Sequence, residues 1–400
     1  MKKIRLKNGI TIVLENRKTD SVAIQVTVGT GSNDEDDRNR GISHFIEHML
    51  FEGTKNRTTL EIANQIESLG GSLGAYTSTE RTCYYAKVLK KHVNIALDVL
   101  FDVIMNPLFE QKAIDKERDV ILSEIKLKND EPRFYQWLLF QKSLFRKMPA
   151  KHPVIGYRDI IKKIQRQDLV NHFGKNYASS NIIVSAAGSV KDIERNLIAM
   201  FGSMPKKEAK KSRITKEKQR KAPKTVKEKR SIEQTYVALG FLAPPRTSKE
   251  SYVFDVIHAI LGRGLSGKMF DELRIKRGFG YDVGAIYEDN KNYGFFAAYA
   301  TIEKPNMKET KEVILGLINN IDKTSVKEIE EAKKYIEGEF VIHNEDTQNL
   351  ADTLGFYEHV GGAELFLDYI QNIRKVSLAD LKKAKNKYLK NYTMTILEPK

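Results

Sequence analysis

The stretch GISHFIEHMLFEGT, residues 41–54, has two histidines four positions apart and a glutamate directly before the second. Residues four apart on a helix lie one turn above each other on one face, so His44 and His48 can converge on a single ion. Glu47 lies beside them, which is the mirror order of the HExxH zinc pattern. The spacing therefore predicts a helix that presents two imidazoles and a carboxylate to a metal.

A catalytic zinc takes one more protein ligand and keeps an open position for water. We expect that ligand to be a carboxylate on another helix, and the segment from Asp115 to Asn129 has an apolar stripe of helical period. Glu117 and Glu124 lie two turns apart on the same face of it. Glu124 is our choice for the ligand, and Glu117 is placed to orient a ligand from behind.

The motif alone does not decide the function. With 8 histidines in 400 residues, chance would produce an HxxEH pattern in about one chain in a hundred. The remaining histidines lack such spacing, and we expect them to be structural or solvated. They are His92, His152, His172, His258, His343 and His359.

The composition, 41% hydrophobic and 30% charged, is that of a globular protein whose length favours two domains. No run approaches the roughly 18 consecutive apolar residues of a membrane helix, and no apolar segment follows the N-terminal lysines as in a signal peptide. The single cysteine, Cys83, excludes an internal disulfide and a thiolate metal site. We therefore expect a cytoplasmic protein without membrane segments.

Much of the net charge of +15 lies between Lys206 and Arg230, a stretch rich in lysine and arginine. Such a stretch is typical of a solvated linker or of a nucleic-acid-binding arm. No aromatic residue is available there to stack on bases, which favours the linker and predicts no nucleic-acid partner. The alternative predicts nucleic-acid affinity that falls steeply with salt.

Apolar alternation and turn residues predict the same order of elements in both halves. The first half has a hairpin at Asn8-Gly9, a half-buried strand over 22–28, a helix over 42–51, a helix capped by Thr58 and Glu61, and a strand over 76–88. The second half has a strand over 236–241, a turn at Pro244-Pro245, a helix over 252–261 and a helix through Arg274.

This self-similarity predicts an α+β fold with two similar domains, each an antiparallel sheet covered by helices. We assign residues 1–205 to the metal-bearing domain, 206–230 to the basic linker and 231–400 to the second domain. Phe254 and Ile257 align with His44 and Glu47, so the second domain cannot bind metal in the same way. Residues 262–267 spell GxGxxG, but a helix is predicted before them where a dinucleotide site needs a strand.

Several stretches resemble the M16 peptidases, the family of pitrilysin, insulinase and the mitochondrial processing peptidase. Residues 41–54 are similar to the family signature GxxHxxEHxxFxGT, and the paired glutamates and the stretch 152–156 match later landmarks. The sequence GRGLSGKMFDELRIKRGFGY, residues 262–281, is similar to GGGxSSxLFxxIRxKxGLxY. The resemblance covers nearly the whole chain, with one departure at Gly74, where the family usually has Asn.

The resemblance implies a zinc peptidase that acts on peptides, with one Zn²⁺ per chain, although the residues alone leave cobalt or manganese open. It implies that Glu47 is the general base, that Glu117 supports a ligand, and that Arg274 and Tyr281 bind substrate backbone and the oxyanion. The implied zinc ligands are His44, His48 and Glu124. Substrate is expected to add as a strand near residues 73–77.

Larger family members join two such halves around a chamber. This chain has both motifs but the length of one half, which predicts a homodimer whose zinc site faces Arg274 and Tyr281 of the other copy. Such composite sites favour short or unfolded substrates. A non-catalytic scaffold relative is the alternative, and it predicts a broken HxxEH motif, which this sequence does not have.

Overall fold

The computed structural model describes residues 1–209 and 216–400. These residues form two compact units, and each unit includes a segment from the other half of the sequence. Unit 1 comprises Met1–Leu127, His152–Arg213 and Ile342–Phe366, and unit 2 comprises Lys128–Lys151, Ile214–Val341 and Leu367–Lys400.

Both units contain strands and helices. The strands are β1 Lys2–Arg5, β2 Thr11–Asn16, β3 Ser21–Val28, β4 Ser72–Thr77, β5 Thr82–Leu89, β6 Ile182–Gly188, β7 Lys224–Arg230, β8 Thr235–Ala243, β9 Gly280–Asp289, β10 Gly294–Ile302 and β11 Thr393–Pro399. The helices are α1 Ile42–Met49, α2 Thr59–Glu67, α3 Val93–Met105, α4 Gln111–Asp130, α5 Pro132–Leu144, α6 Arg158–Ile161, α7 Arg166–Asn176, α8 Glu194–Gly202, α9 Ser251–Gly262, α10 Lys268–Phe270, α11 Met307–Asn319, α12 Val326–His343, α13 Thr347–Val360, α14 Glu364–Arg374 and α15 Leu378–Tyr388.

The described strands of unit 1 form a sheet in the order β1-β2-β6-β3-β5-β4, with β4 at one edge. The predicted hairpin is confirmed: β1 and β2 pair antiparallel, and Gly9 has the positive φ of 100° that such turns favour. The predicted capping box is also present, because the Thr58 N–H donates to Glu61 at 2.8 Å and the Glu61 N–H donates to the Thr58 hydroxyl.

Unit 2 repeats this topology, since its order β7-β11-β8-β10-β9 matches β2-β6-β3-β5-β4. Each sheet combines antiparallel pairs with one parallel pair among its described strands, β2 with β6 and β7 with β11. A tyrosine lies across a glycine of the neighbouring edge strand in both, Tyr85 over Gly74 and Tyr299 over Gly284. The predicted α+β fold of two similar domains is confirmed.

Two helices are exchanged between the halves of the sequence. Helix α13 packs on β3 and β6 of unit 1, and α5 packs on the equivalent strands β8 and β11 of unit 2. The contiguous ranges 1–205 and 231–400 therefore do not coincide with the compact units. The prediction that strand 22–28 is half-buried is wrong for the same reason, because α13 covers Ala23, Gln25 and Thr27 on its second face.

Two further predictions need correction. The expected single strand over 76–88 is broken into β4 and β5 by a turn at Ser78–Arg81, where the Ser78 hydroxyl accepts the Arg81 N–H. Part of the expected linker is folded, since β7 pairs with β11 and Glu217 accepts backbone N–H groups of Arg146 and Lys147. Residues 210–215 of that linker lie outside the described residues.

Within residues 1–209 and 216–400, none of the helices is long and apolar enough to cross a bilayer.

Candidate metal centre

Helix α1 begins at a glycine and takes its N-terminal cap from a distant side chain. Gly41, at φ 96°, has no side chain with which to cap the first turn. The buried Glu35 carboxylate accepts the Gly41 N–H at 2.8 Å and the Ser43 N–H at 2.9 Å. It thereby satisfies two donors at the positive end of the helix. Burial raises the pKa of Glu35 to about 7, although these hydrogen bonds favour the charged form.

Glu35 should make the stability of unit 1 depend on pH. A pKa raised from 4.5 to about 7 means that the folded state binds the extra proton, so stability is lost as pH rises through 7. Between pH 5 and 8 we expect the metal-free wild type to lose about 2 kcal/mol more unfolding free energy than Glu35→Gln. Denaturant titrations in chelator at both pH values measure this difference, and parallel pH profiles would contradict it.

The N-terminus of α1 also touches the loop 152–156 that sequence comparison singled out. Gly156 has φ 78°, and a Cβ on it would lie 2.3 Å from the Arg40 carbonyl oxygen. A Cβ on Gly41 would likewise lie 2.8 Å from the Gly156 Cα. Two glycines thus allow this loop to pack directly on the start of the helix.

The imidazoles of His44 and His48 converge with a carboxylate from helix α4. The Glu124 Oε2 atom lies 3.6 Å from His44 Nε2 and 3.9 Å from His48 Nε2. One ligand atom from each of the three lies within 4.8 Å of the others, and no second such group occurs in the described part of the chain. The sequence spacing placed these three residues on two helices, and the fold brings the helices together.

The three side chains fit a zinc ion. Ligand atoms at about 2.0–2.2 Å from an ion in a tetrahedron are about 3.3–3.6 Å apart. The Glu124 Oε2 atom lies 3.6 Å and 3.9 Å from the two histidine Nε2 atoms, and the whole group lies within 4.8 Å. Two imidazole nitrogens and one carboxylate oxygen are also a ligand set that catalytic zinc sites use. Small adjustments of all three side chains would bring their ligand atoms to these separations.

Glu117 lies behind His48, two turns before Glu124 on α4. Its Oε2 atom is 3.0 Å from His48 Nδ1, and the residue is buried. A proton on Nδ1 that is donated to this carboxylate leaves Nε2 with its lone pair directed toward Glu124. The position fits the supporting role proposed for Glu117 from the sequence.

Glu47 is held by strand β4. The Thr77 hydroxyl donates a hydrogen bond to Glu47 Oε2, and burial raises the pKa of this carboxyl above its ordinary value. The neighbouring Tyr76 hydroxyl donates to Asp352 on α13, which fixes the end of β4. A Cβ on Gly74 would lie only 2.7 Å from the Tyr85 hydroxyl oxygen. The Asn that the family usually has at this position would therefore displace the Tyr85 ring.

Arg274 and Tyr281 lie in unit 2 and contact each other. Arg274 belongs to a π-helical turn, Asp271–Ile275, a distortion that often occurs at functional sites. Its Nη1 donates to the Tyr281 carbonyl oxygen at 3.2 Å, and its guanidinium carbon lies 4.2 Å from the Tyr281 ring centroid. The Tyr281 side chain is 77% exposed, which leaves its hydroxyl open to solvent.

Sequence reasoning missed Glu35 and the contact of Thr77 with Glu47. Both act through contacts between residues whose separation follows no helical or strand period, so no spacing rule would have selected them. Among the other histidines, His172 is buried with its pKa lowered by burial to about 4, and His258 Nε2 lies 3.0 Å from the Ala285 carbonyl oxygen. The GxGxxG stretch follows helix α9, as predicted.

Comparison with known proteins agrees with the geometry. The family model for insulinase, peptidase family M16, matches residues 11–156, and the model described as the peptidase M16 inactive domain matches residues 163–336. The protein "Uncharacterized zinc protease YmxG" of Bacillus subtilis is 30% identical over 100% of this chain and 98% of its own length. A Mycobacterium leprae protein, "Uncharacterized zinc protease ML0855", is 30% identical over 98% of this chain and 91% of its own.

Solved structures show the same fold. A protease from Helicobacter pylori superposes with a TM-score of 0.94 at 22% identity, covering 100% of this chain and 99% of that one. The peptidase M16 inactive domain from Pseudomonas fluorescens superposes with a TM-score of 0.88 at 21% identity, covering 100% of this chain and 98% of that one. Fold, ligand group and relatives together define the class of this chain as metallopeptidase. The chain belongs to the insulinase family, peptidase family M16.

Proposed function

We propose that this chain is a zinc metallopeptidase that hydrolyses peptide bonds in short or unfolded peptides. The observation that carries the proposal is the convergence of His44, His48 and Glu124 on one point, beside a helix residue, Glu47, that can accept a proton. Membership of a family whose relatives are named zinc proteases supports it. A cytoplasmic location and the lack of a nucleic-acid partner stay predictions from the sequence.

His44, His48 and Glu124 would hold one Zn²⁺ per chain, and Glu117 would fix the ring of His48 by accepting its Nδ1 proton. When bound, zinc would polarise the scissile carbonyl and lower the pKa of a water ligand. Three protein ligands would leave room on the ion for that water.

Glu47 would act as the general base. Its Oε2 atom is occupied by the Thr77 hydroxyl, which leaves Oε1 to take the proton from the attacking water and return it to the leaving amine. The Tyr281 hydroxyl would donate a hydrogen bond to the oxyanion, and Arg274 would donate to substrate carbonyl oxygens. These last two roles rest on the family resemblance.

Strand β4 is the proposed place for the substrate backbone. It pairs only with β5 among the described strands, so its other edge offers free N–H and C=O groups. An extended peptide can add there as a further strand and is then held through its main chain, whatever its side chains are. Thr77, at the end of β4, connects this edge to Glu47.

We further propose that the working form is a homodimer with composite sites. The sequence carries both the zinc motif and the Arg274/Tyr281 pair in a chain of one half's length. Two copies related by a twofold axis can each complete the other's site.

A mixing experiment tests the function and the dimer together. Wild type is expected to cleave a mixture of unstructured peptides, as detected by mass spectrometry. Glu47→Gln and Tyr281→Phe chains should each be impaired alone and should regain about a quarter of wild-type activity when co-assembled at equal amounts. Cleavage by wild type without any recovery in the mixture would contradict composite sites but not the proposed peptidase function.

A further inference from the structure

A cleft of about 230 Å³ lies on the face of the unit 2 sheet beside the first turns of α5. Its principal lining residues are Arg133, Gln136, Trp137, Tyr236, Asp282 and Tyr299. None of them belongs to the metal centre or to the Arg274/Tyr281 pair. We propose that this cleft binds the side chain of a tyrosine or tryptophan residue in a peptide, an inference that rests on the proposed peptidase function.

The walls of the cleft are aromatic rings in fixed positions. The ring of Trp137 meets that of Tyr299 edge-to-face, with centroids 5.8 Å apart. Tyr299 lies across Gly284, where a Cβ would come within 2.8 Å of its hydroxyl. Aromatic rings favour such edge-to-face and offset contacts, so a further ring in the cleft would find partners without rearrangement.

Gln136, one of the residues that line the cleft, carries a buried acceptor without a donor. Gln136 is 4% exposed, and its Nε2 donates to the Thr395 carbonyl oxygen at 3.1 Å and hydroxyl at 3.0 Å. These bonds orient the amide with its nitrogen toward Thr395. Its Oε1 atom is buried and receives no hydrogen bond from any described residue. A ligand that brings an O–H or N–H donor would satisfy it.

The charges of the cleft favour a neutral ligand. Arg133 Nε lies 3.2 Å from Asp282 Oδ2, so each charged group already has a partner. A lysine or arginine side chain would enter without a free counter-charge and would lose its hydration. The combination of aromatic walls, one unpaired acceptor and no unpaired charge fits a phenol or an indole.

The repeat in unit 1 has a longer side chain at the position that corresponds to Thr301. Lys87 stands two residues after Tyr85 on β5, as Thr301 stands two residues after Tyr299 on β10. The Lys87 amine reaches across to Asp346, directly before α13. Thr301 is too short to make such a contact from β10, and it lines the cleft instead.

Trp137 makes the proposal directly measurable because it is the only tryptophan in the chain. The full-length Glu47→Gln protein is titrated with N-acetyl-tyrosinamide, and tryptophan emission is excited where tyrosine does not absorb. We expect a saturable change with a Kd on the order of millimolar. N-acetyl-phenylalaninamide, which lacks the donor, should bind about fivefold to tenfold more weakly.

Two variants separate the site from general effects on folding. Thr301→Met fills the cleft and should abolish the response, whereas Gln136→Leu should bind both probes equally because the acceptor is gone. No saturable response, or no preference for the tyrosine probe in wild type, would overturn the proposal. Tighter binding of free tyrosine than of the blocked probe would overturn its assignment to a peptide residue.

Binding is measured without hydrolysis, so the outcomes are distinguishable. Peptide cleavage without probe binding would refute the cleft alone. Probe binding without any peptide cleavage by wild type would refute the proposed function alone.

Discussion

Replacing Glu47 with Gln is expected to lower kcat for peptide hydrolysis by about 10²–10⁴-fold while the protein keeps its metal. An amide of the same shape can still accept the hydrogen bond of Thr77, but it cannot take a proton from water. Glu47 is also not part of the ligand group formed by His44, His48 and Glu124. Peptide turnover and metal content are measured on the same preparation.

Glu52→Gln is the matched control for this prediction. Glu52 lies just beyond the same helix and pairs with the exposed Lys116 at 3.1 Å, so its loss should leave turnover and metal content unchanged. A Glu47→Gln protein that retains wild-type turnover would show that another group accepts the proton.

Removing the carboxylate of Glu117 is expected to weaken zinc binding by about 10–100-fold. Without this acceptor, 3.0 Å from His48 Nδ1, the imidazole loses the contact that fixes its orientation and its tautomer. Glu117→Ala is compared with wild type by competition against a chelating dye. Peptide turnover at saturating zinc should recover in part, because the three ligands themselves remain.

Asp119→Ala provides the control on the same helix, since Asp119 is exposed two residues further on. Equal zinc affinity of Glu117→Ala and Asp119→Ala would contradict the supporting role. It would mean that the packing of helix α1 alone holds His48 in place.

The local elements of the fold were predictable because local rules decide them. Asn8-Gly9 predicts its hairpin, and Thr58 with Glu61 predicts a helix start, through contacts within three residues. The exchange of α5 and α13 was not predictable, because it depends on packing between segments that lie about 100 to 330 residues apart along the chain. Strand β3 therefore looks half-buried in sequence and is covered on both faces in the structure.

The candidate site also has a part that was predictable from local rules and a part that was not. Helical periodicity placed His44 and His48 on one face, and Glu117 and Glu124 on another, so their convergence needed only the meeting of α1 and α4. The Glu35 cap and the Thr77 hydrogen bond need precise tertiary contacts, for which residue type and spacing give no pattern.

The most direct test of the central claim is zinc removal and return on the wild-type protein. Metal content and cleavage of unstructured peptides are followed through chelation and then through addition of one equivalent of Zn²⁺ per chain. We predict that one zinc per chain and the peptidase activity are lost together and restored together. Undiminished cleavage by the metal-free protein, or a reloaded protein that cleaves no peptide, would contradict it.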